Sequence, residues 1–547
     1  MPEPFNATDV KADVETDVET DVLIVGAGPV GMALALDLAY RGIGHVVVDA
    51  GDGVVAHPKV STTGPRSMEH FRRWGVADRI RAAGWPGDHP LDIAWVTRVG
   101  EHEIHRFERG TARDRPAFAH TPEPDQVCPA HWLNPLLANA VGVHPDGPLR
   151  YLHRIEHFKR DVDGVRATVT DCVRGTTMTV TARFLIACDG SSSPIRKAVD
   201  IDAPTRHETQ VFRNLLFRAP QLAGQLTARG HRTALVYFLI RSTTLRYPLR
   251  SLDGRGLYNL VAAGDTGDTG ENAMSMVRDA VAFETPVELL SDGVWHLTHC
   301  VADQYRSGRA FLAGDAAHTL SPSGGFGMNT GIGDAVDLGW KLAAELDGWA
   351  GSRLLDTYDT ERRPVALDSL DAANTNLKRT TDRDIPSDLG HSTPAGMRAR
   401  AAMAERLASS GAHREFDAPD VHFGFHYRSP IVVSDGPGGL TPDWRPGSDP
   451  GSRAAHAWIR PGVSTLDLFG RGYTLLRFAQ SDRLDGFQRA FGDRRVPLRT
   501  TLCDDQEIAR LYRFPFVLVR PDGHVAWRGA ELPSAPDELA DVVRGAV

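Results

Sequence analysis

Apolar residues follow two rhythms along this chain. Continuous apolar runs occur at Val22-Leu23-Ile24-Val25, His45-Val46-Val47-Val48, Phe184-Leu185-Ile186-Ala187-Cys188 and Arg309-Ala310-Phe311-Leu312-Ala313. Such runs predict strands buried on both faces, as in a parallel sheet covered by helices. Strict alternation appears instead at 91–106 (Leu91, Ile93, Trp95, Thr97) and from 205 to 300. It predicts a second, mostly antiparallel sheet with strands at Val211–Phe217, Ala234–Ile240, Thr244–Leu249, Leu257–Val261 and Trp295–Cys300. Between the two rhythms, 151–181 reads as a three-stranded meander turning at Asp163-Gly164. Helical spacing marks Met32–Arg41, Pro65–Trp74, Trp132–Val141 and the long stretch Met328–Leu346.

Residues 381–455 are rich in Pro, Gly, Asp and Arg, with a helical piece at Ala395–Ser409, and are expected to form a linker with some helix. Beyond them, 456–547 reads as a small α/β domain: a strand at Tyr473–Phe478, helices at Asp482–Phe491 and Asp505–Tyr512, then a strand opened by Phe514-Pro515-Phe516. That strand turns at Pro521-Asp522-Gly523 into Val525-Ala526-Trp527. Pro515 before that strand resembles the cis-proline region of a thioredoxin fold, but Cys503 stands alone and no CxxC is present. The domain is therefore expected to be structural or oligomerising, with a homo-oligomer as the assembly.

A chain of 547 residues accommodates several domains. Its net charge of −9 argues against a nucleic-acid surface. Five scattered cysteines form no CxxC or His/Cys cluster, so neither a disulfide framework nor a metal site is expected, and a cytoplasmic setting is. No apolar run reaches the ~20 residues of a membrane span. Residues 1–20 are acidic, repeat Asp-Val-Glu-Thr, and read as a disordered leader.

The chemistry starts where the first apolar run empties into Gly26-Ala27-Gly28-Pro29-Val30-Gly31, followed by a helix ending at Gly42 and a strand ending in Asp49-Ala50. Strand, GxGxxG turn, helix, strand and terminal acid make a complete dinucleotide fingerprint. Gly26 permits the turn, Gly28 lets backbone approach a pyrophosphate, Gly31 lets helix pack on strand, and Asp49 can accept ribose hydroxyls of FAD or NAD. The helix N-terminus offers unpaired amides to the phosphates. A basic, aperiodic segment, Pro58-Lys59-Val60-Ser61-Thr62, follows where a phosphate or the flavin ring could sit.

Two further motifs stand in order behind it: Cys188-Asp189-Gly190-Ser191-Ser192-Ser193-Pro194-Ile195-Arg196, and Gly314-Asp315-Ala316-Ala317-His318 leading to Pro322-Ser323-Gly324-Gly325-Phe326-Gly327-Met328-Asn329. Trp340-Lys341-Leu342 and Leu355 to Pro364 trail them. With these motifs the chain resembles the single-component flavin-dependent aromatic hydroxylases of p-hydroxybenzoate hydroxylase fold. Within that class it is similar to the phenol and polyketide hydroxylase branch with a thioredoxin-like C-terminal domain. The implied fold class is α/β: a Rossmann-type FAD-binding domain (21–90, 120–200, 301–380), an interleaved antiparallel-sheet substrate domain (91–119, 201–300), the 381–455 segment, and a thioredoxin-like domain (456–547).

The resemblance also implies roles. Asp315, after Gly314, meets ribitol and ribose hydroxyls; Gly325, Gly327, Met328 and Asn329 face the flavin's pyrimidine edge, where amides and the helix dipole stabilise negative charge. Pro322 lies beside the reactive ring, and Asp189-Gly190 serves FAD and nicotinamide with Arg196 as basic partner. Lys59 stands where the family has an arginine, losing its bidentate fork, and Ala130 where it has a glutamine, leaving His131 or backbone amides to compensate.

With no second GxGxxG and no CxxxxC pair, NAD(P)H is expected to bind transiently, reduce the flavin and leave; O2 then yields a hydroperoxyflavin that hydroxylates a phenolic or hydroxy-heteroaromatic ring. The substrate hydroxyl needs a holder. Candidates are Tyr237, which shares a strand face with Leu239 and Arg241, and Arg246 and Tyr247, which point to opposite faces so that at most one enters the pocket. Arg241, Arg246, Arg250 and Arg255 exceed what a sheet edge needs, although a solvated face accounts for any single one. Two rivals remain open from sequence: Baeyer–Villiger or epoxidising chemistry on the same scaffold, and a flavin-binding partner protein without turnover.

Overall fold

The computed structural model describes residues 17–58, 62–115, 118–142, 149–264, 273–433, 435 and 444–547. Lys59, Val60 and most of the expected leader lie outside the described residues.

The apolar runs assemble as one sheet in the order Arg306–Ser307, Ala310–Leu312, Thr177–Ala187, Val18–Val25, His45–Val48, Leu149–Arg150. Val22–Val25 pairs in parallel with Phe184–Ala187 on one side and His45–Val48 on the other. Both faces are covered, so these residues are buried and need no alternation. The strand starts at Val18, which pairs with Val180, so the ordered chain reaches into the segment expected as leader. The last strand of the meander and the core strand, read separately from sequence, are one strand: Thr177–Ala182 pairs antiparallel with Val165–Thr170, and Leu185–Ala187 continues in parallel with Ala310–Leu312.

The second sheet runs His318–Thr319, Glu288–Val301, Thr205–Arg218, Leu257–Ala263, Pro248–Ser251, Val236–Leu239, Ile93–Val96, Glu103–Phe107. Its back face (Leu215, Phe217, Tyr237, Leu239, Leu249, Leu260) is closed by helices Leu222–Ala228 and Ala273–Ala280 through Leu222, Leu226, Met276 and Val277. Its front face carries Ile93, Trp95, Val236 and Phe238.

That front face corrects the expectation of a linker at 381–455. Helix Pro394–Ser409, started by Pro394 and by Thr393 accepting from the Gly396 amide at 3.2 Å, presents Met403 and Leu407 to Ile93, Trp95 and Phe238. The 3-10 turn Ala412–Glu415 and helix Pro419–Phe423 follow. The segment is a wall of the second sheet, and its sparse apolar residues suffice because the sheet supplies the rest of the core.

The C-terminal sheet, ordered Leu498–Leu502, Tyr473–Arg477, Phe516–Val519, Val525–Gly529, has one parallel pair and two antiparallel pairs, flanked by helices. The edge strand Leu498–Leu502 was not anticipated, being Leu-Arg-Thr-Thr-Leu and half solvated. Among the described residues no peptide bond is cis, so the likeness of Pro515 to a cis-proline does not extend to its geometry. This sheet packs against helix Phe326–Leu346 and the segment after it: Trp340, Trp349 and Leu354 share a core with Tyr473, Leu475 and Phe516.

Candidate functional site

The glycine turn has the geometry its sequence requires. Gly26 sits at φ +107, and a Cβ there would lie 2.2 Å from the Cys188 carbonyl oxygen; one on Gly31 would lie 2.0 Å from the Gly26 oxygen. Gly28 faces open space, with nothing within 4 Å of its would-be Cβ, at the N-terminus of helix Pro29–Arg41, which has no side-chain cap. Asp49 braces the turn, accepting from the Ala27 amide at 2.6 Å and the Gly51 amide at 2.7 Å.

The second and third motifs converge on this turn. Asp189 accepts from the Ile195 amide through Oδ2 at 3.1 Å, while its Oδ1 is buried without a partner; burial raises its carboxyl. Arg196 donates to the Ala316 carbonyl at 2.7 Å and the Ser191 carbonyl at 3.2 Å, binding the two motif loops together. Gly314 at φ +61 lies against Val30, and Asp315 projects, exposed, from the 3-10 turn Gly314–Ala316.

Helix Phe326–Leu346 holds this turn from behind. The fully buried Asp334 accepts from the Gly314 amide at 3.1 Å, from His318 Nε2 at 2.8 Å and from Arg362 Nε at 2.8 Å. Burial works to raise its carboxyl, but Arg362 and His318 outweigh it and hold it low. At the helix start, Asn329 Oδ1 accepts from the Gly64 amide and Ser67 Oγ, both at 2.7 Å. Its Nδ2 donates to the Thr62 carbonyl at 3.0 Å and the Gly325 carbonyl at 2.7 Å. Gly325, at φ +65 with nothing within 4 Å, opens onto the same space.

An open Gly28 and Gly325, an orphaned Asp189 oxygen and a projecting Asp315 make a set of backbone amides and carboxylate acceptors that fits a dinucleotide. Ala130 begins helix Ala130–Gly142, beside His131, whose Nδ1 is without a partner.

Against the Pro322–Gly325 turn and Asn329 opens a cavity of about 250 Å³. Phe107, Phe118, Phe416 and Phe423 give it aromatic walls, and Leu235 and Val236 an apolar side. Asp125 within it is held down to about 2 because Arg109 and Arg115 outweigh its burial. Arg250 also lines the cavity, lowered by burial against the opposing pull of Glu415. Burial pushes the Glu415 carboxyl up to about 7, against the pull of Arg250, Arg383, Arg379 and the Gly324 amide.

None of the three residues singled out on the second sheet lines this cavity. Tyr237 pairs with Leu249 and points into the back core, its hydroxyl accepting from the Ala234 amide at 2.9 Å. Val236, one residue earlier, pairs with Arg250, and both face the cavity. Arg246 donates to the Thr381 carbonyl. Tyr247 packs edge-on to Phe212, ring centres 5.0 Å apart, beside Val261 and Leu377. Arg250 was visible only as one of four arginines, and Glu415, Phe416, His422 and Phe423 lay in the presumed linker. Alternation alone gives two faces and does not say which is the inner one.

Among the described residues no cluster of His, Cys, Asp and Glu could hold a metal ion, and no helix is long and apolar enough to cross a membrane.

Comparison with known proteins follows this geometry. The model of the FAD binding domain matches residues 19–373, and that of the aromatic-ring hydroxylase C-terminal domain residues 448–546. A putative polyketide hydroxylase of Streptomyces halstedii is 33% identical over 96% of this chain and 95% of its own. Chromopyrrolic acid-soaked RebC with bound 7-carboxy-K252c superposes with a TM-score of 0.93 at 60% identity, covering 97% of this chain and 100% of that one. The ternary complex of aklavinone-11 hydroxylase with FAD and aklavinone gives 0.82 at 27% identity, covering 97% and 99%.

Proposed function

From the premise that this chain belongs to the FAD-dependent aromatic-ring hydroxylases, we propose that its substrate is a flat aromatic carboxylic acid, held with its carboxylate on Arg250 and its ring toward Pro322–Asn329. The enzyme is an FAD-dependent aromatic monooxygenase. FAD, reduced by NAD(P)H, supplies the oxygen-transfer chemistry with O2. One observation carries the substrate reading: a single cavity joins the flavin-side turn to a buried guanidinium across aromatic walls.

The chain's own residues set the conditions. Gly28, Asp189 and Asp315 would bind the cofactor's phosphates and hydroxyls, and the amides at Gly325–Asn329 its pyrimidine edge. The phenylalanine walls exclude water from the reacting ring. Arg250 offers a bidentate fork to a carboxylate. Glu415, poised near neutrality, can take a proton at its carboxylate oxygen from a ring hydroxyl or N–H. The carboxylated ligand in the RebC structure agrees with this reading.

Titration of the holoenzyme with 7-carboxy-K252c and with K252c, followed by flavin absorbance, tests it. The carboxylated compound should bind more tightly, and Arg250→Met should erase the difference. Equal affinities in the unaltered enzyme would refute the assignment.

Self-association and a cytoplasmic setting belong to the same reading. Strand Glu288–Val301 extends well past its outer neighbour His318–Thr319 and exposes Leu290 and Val294, which supports pairing with a second copy. All five cysteines are unpaired, which supports a reducing compartment. Sedimentation of the purified enzyme reads the first directly.

A further inference from the structure

A second crevice, of about 180 Å³, separates helix Pro65–Arg73 from the C-terminal domain. It shares no residue with the cofactor cradle or the aromatic cavity. Its lining includes Tyr40, Arg66, Glu69, Arg72, Arg73 and Gly523.

The carboxylates here are already taken. Glu69 is bound by Arg453 at 3.0 Å, by Arg66 at 2.9 Å and by the Thr121 hydroxyl at 2.6 Å. Arg72 spends its guanidinium on Asp467, Glu123 and the Gly462 carbonyl. Asp37, which acts on Arg73, is held by Arg41 at 2.7 Å and by the Trp74 indole at 3.1 Å, and Asp522, which acts on Arg66, is held by Arg520 at 2.6 Å.

Arg73 is left over. Among the described residues its one hydrogen bond goes to the Pro521 carbonyl at 3.0 Å, and it forms no ion pair. Burial lowers it, and the nearby Arg41 and Arg66 lower it further. Arg66 adds a bond to the Asp522 carbonyl at 2.7 Å. The NH2 atoms of Arg66 and Arg73 both lie 3.5 Å from the point where a side chain on Gly523 would begin, so the two forks converge on one spot. Gly523, at φ +90, keeps that spot clear. Arg471 lies over the ring of the lining residue Tyr40 at 5.4 Å and adds positive charge beside it.

We propose that this crevice is a binding site for a phosphate-class anion, gripped by Arg66 and Arg73 at the junction of the FAD-binding and C-terminal domains. A carboxylate fills one guanidinium fork. A phosphate has enough oxygens and charge for two, and it adds the direct anionic partner that Arg73 lacks among the described residues. Bound there, it ties the two domains together, so occupancy stabilises the whole chain.

Calorimetric titration of the FAD-saturated full chain with inorganic phosphate and with ADP, against chloride at equal ionic strength, tests the site. Saturable heat and a rising melting temperature are expected with at least one of them. Preference for phosphate identifies the free ion, and preference for ADP identifies a nucleotide phosphate. Arg73→Met should weaken binding roughly tenfold or more while leaving flavin content unchanged. Absence of saturable binding by the unaltered holoenzyme at millimolar anion, or equal binding by Arg73→Met, overturns the proposal. The first result does not depend on the variant's folding.

Discussion

Glu415, against the Gly324 amide, and Asp334, behind the Gly314 turn, are both buried carboxylates, and their neighbours drive them in opposite directions. Asp334 has the Arg362 guanidinium and the His318 ring in direct contact and is held low. Glu415 faces arginines without closing an ion pair among the described residues, so burial wins and raises it to about 7. Between the ordinary 4.5 and about 7, the folded Glu415 keeps a proton that the unfolded chain has lost. Stability attributable to this group therefore falls as pH rises through that window. Glu415→Gln should flatten that part of the stability profile, measured by denaturant melts across pH. It should also flatten ligand affinity: in the unaltered enzyme an anionic ring should bind more weakly as pH rises through 7, because ionised Glu415 competes for Arg250. At the cofactor, Asp315→Ala should weaken FAD roughly 10- to 100-fold, since a hydrogen bond to a charged group contributes about 1.5–3 kcal/mol. Flavin fluorescence on dilution reads that loss.

Helix Phe326–Leu346 is the element through which the parts communicate. Its first turn is tied by Asn329 to Thr62 and Gly64, its third holds the Gly314 turn through Asp334, and its later turns carry Asp337, Trp340 and Lys341 into the C-terminal interface. Asn329→Ala should leave the Gly64 amide and the Gly325 carbonyl without their partner, at about 1–3 kcal/mol for a buried group. A lower melting temperature together with faster FAD release is expected; a lower melting temperature alone would make Asn329 a stabiliser without influence on the cofactor. Asp334→Asn strands Arg362 in the core, and a loss of about 3–5 kcal/mol should appear in denaturant unfolding.

Across the whole molecule, the C-terminal domain is built into the enzyme. Arg520, fully buried, pairs with Glu361 at 2.6 Å, Asp337 at 3.0 Å and Asp522 at 2.6 Å, while Lys341 meets Asp337 at 2.6 Å and Glu361 at 2.7 Å. Removing 456–547 takes Arg520 away from two carboxylates that one lysine cannot neutralise, and uncovers Trp340 and Trp349. The truncated chain should be insoluble or unfolded, with no flavin spectrum. A soluble yellow truncation product would show that the interface is dispensable. The absence of a CxxC is consistent with this structural duty.

The FAD-binding domain and the geometry of its glycine turn were legible in the sequence because their requirements are local. A glycine must stand where a Cβ would collide 2.2 Å from a carbonyl, an acid must end the next strand, and these needs leave marks within short motifs. The continuous apolar runs likewise announced a covered parallel sheet. The aromatic cavity, which we propose as the substrate site, was not legible, since its walls depend on which face of an alternating strand turns inward. Tyr237 and Val236 are neighbours of opposite fate, decided by the register that pairs Val236 with Arg250 and by helices closing the back face. The wall at Glu415–Phe423 was hidden for a related reason: it borrows its core from a sheet more than a hundred residues away, so its own composition resembles a linker. Local chemistry writes itself into sequence; burial that depends on a distant partner appears only when the chain has folded.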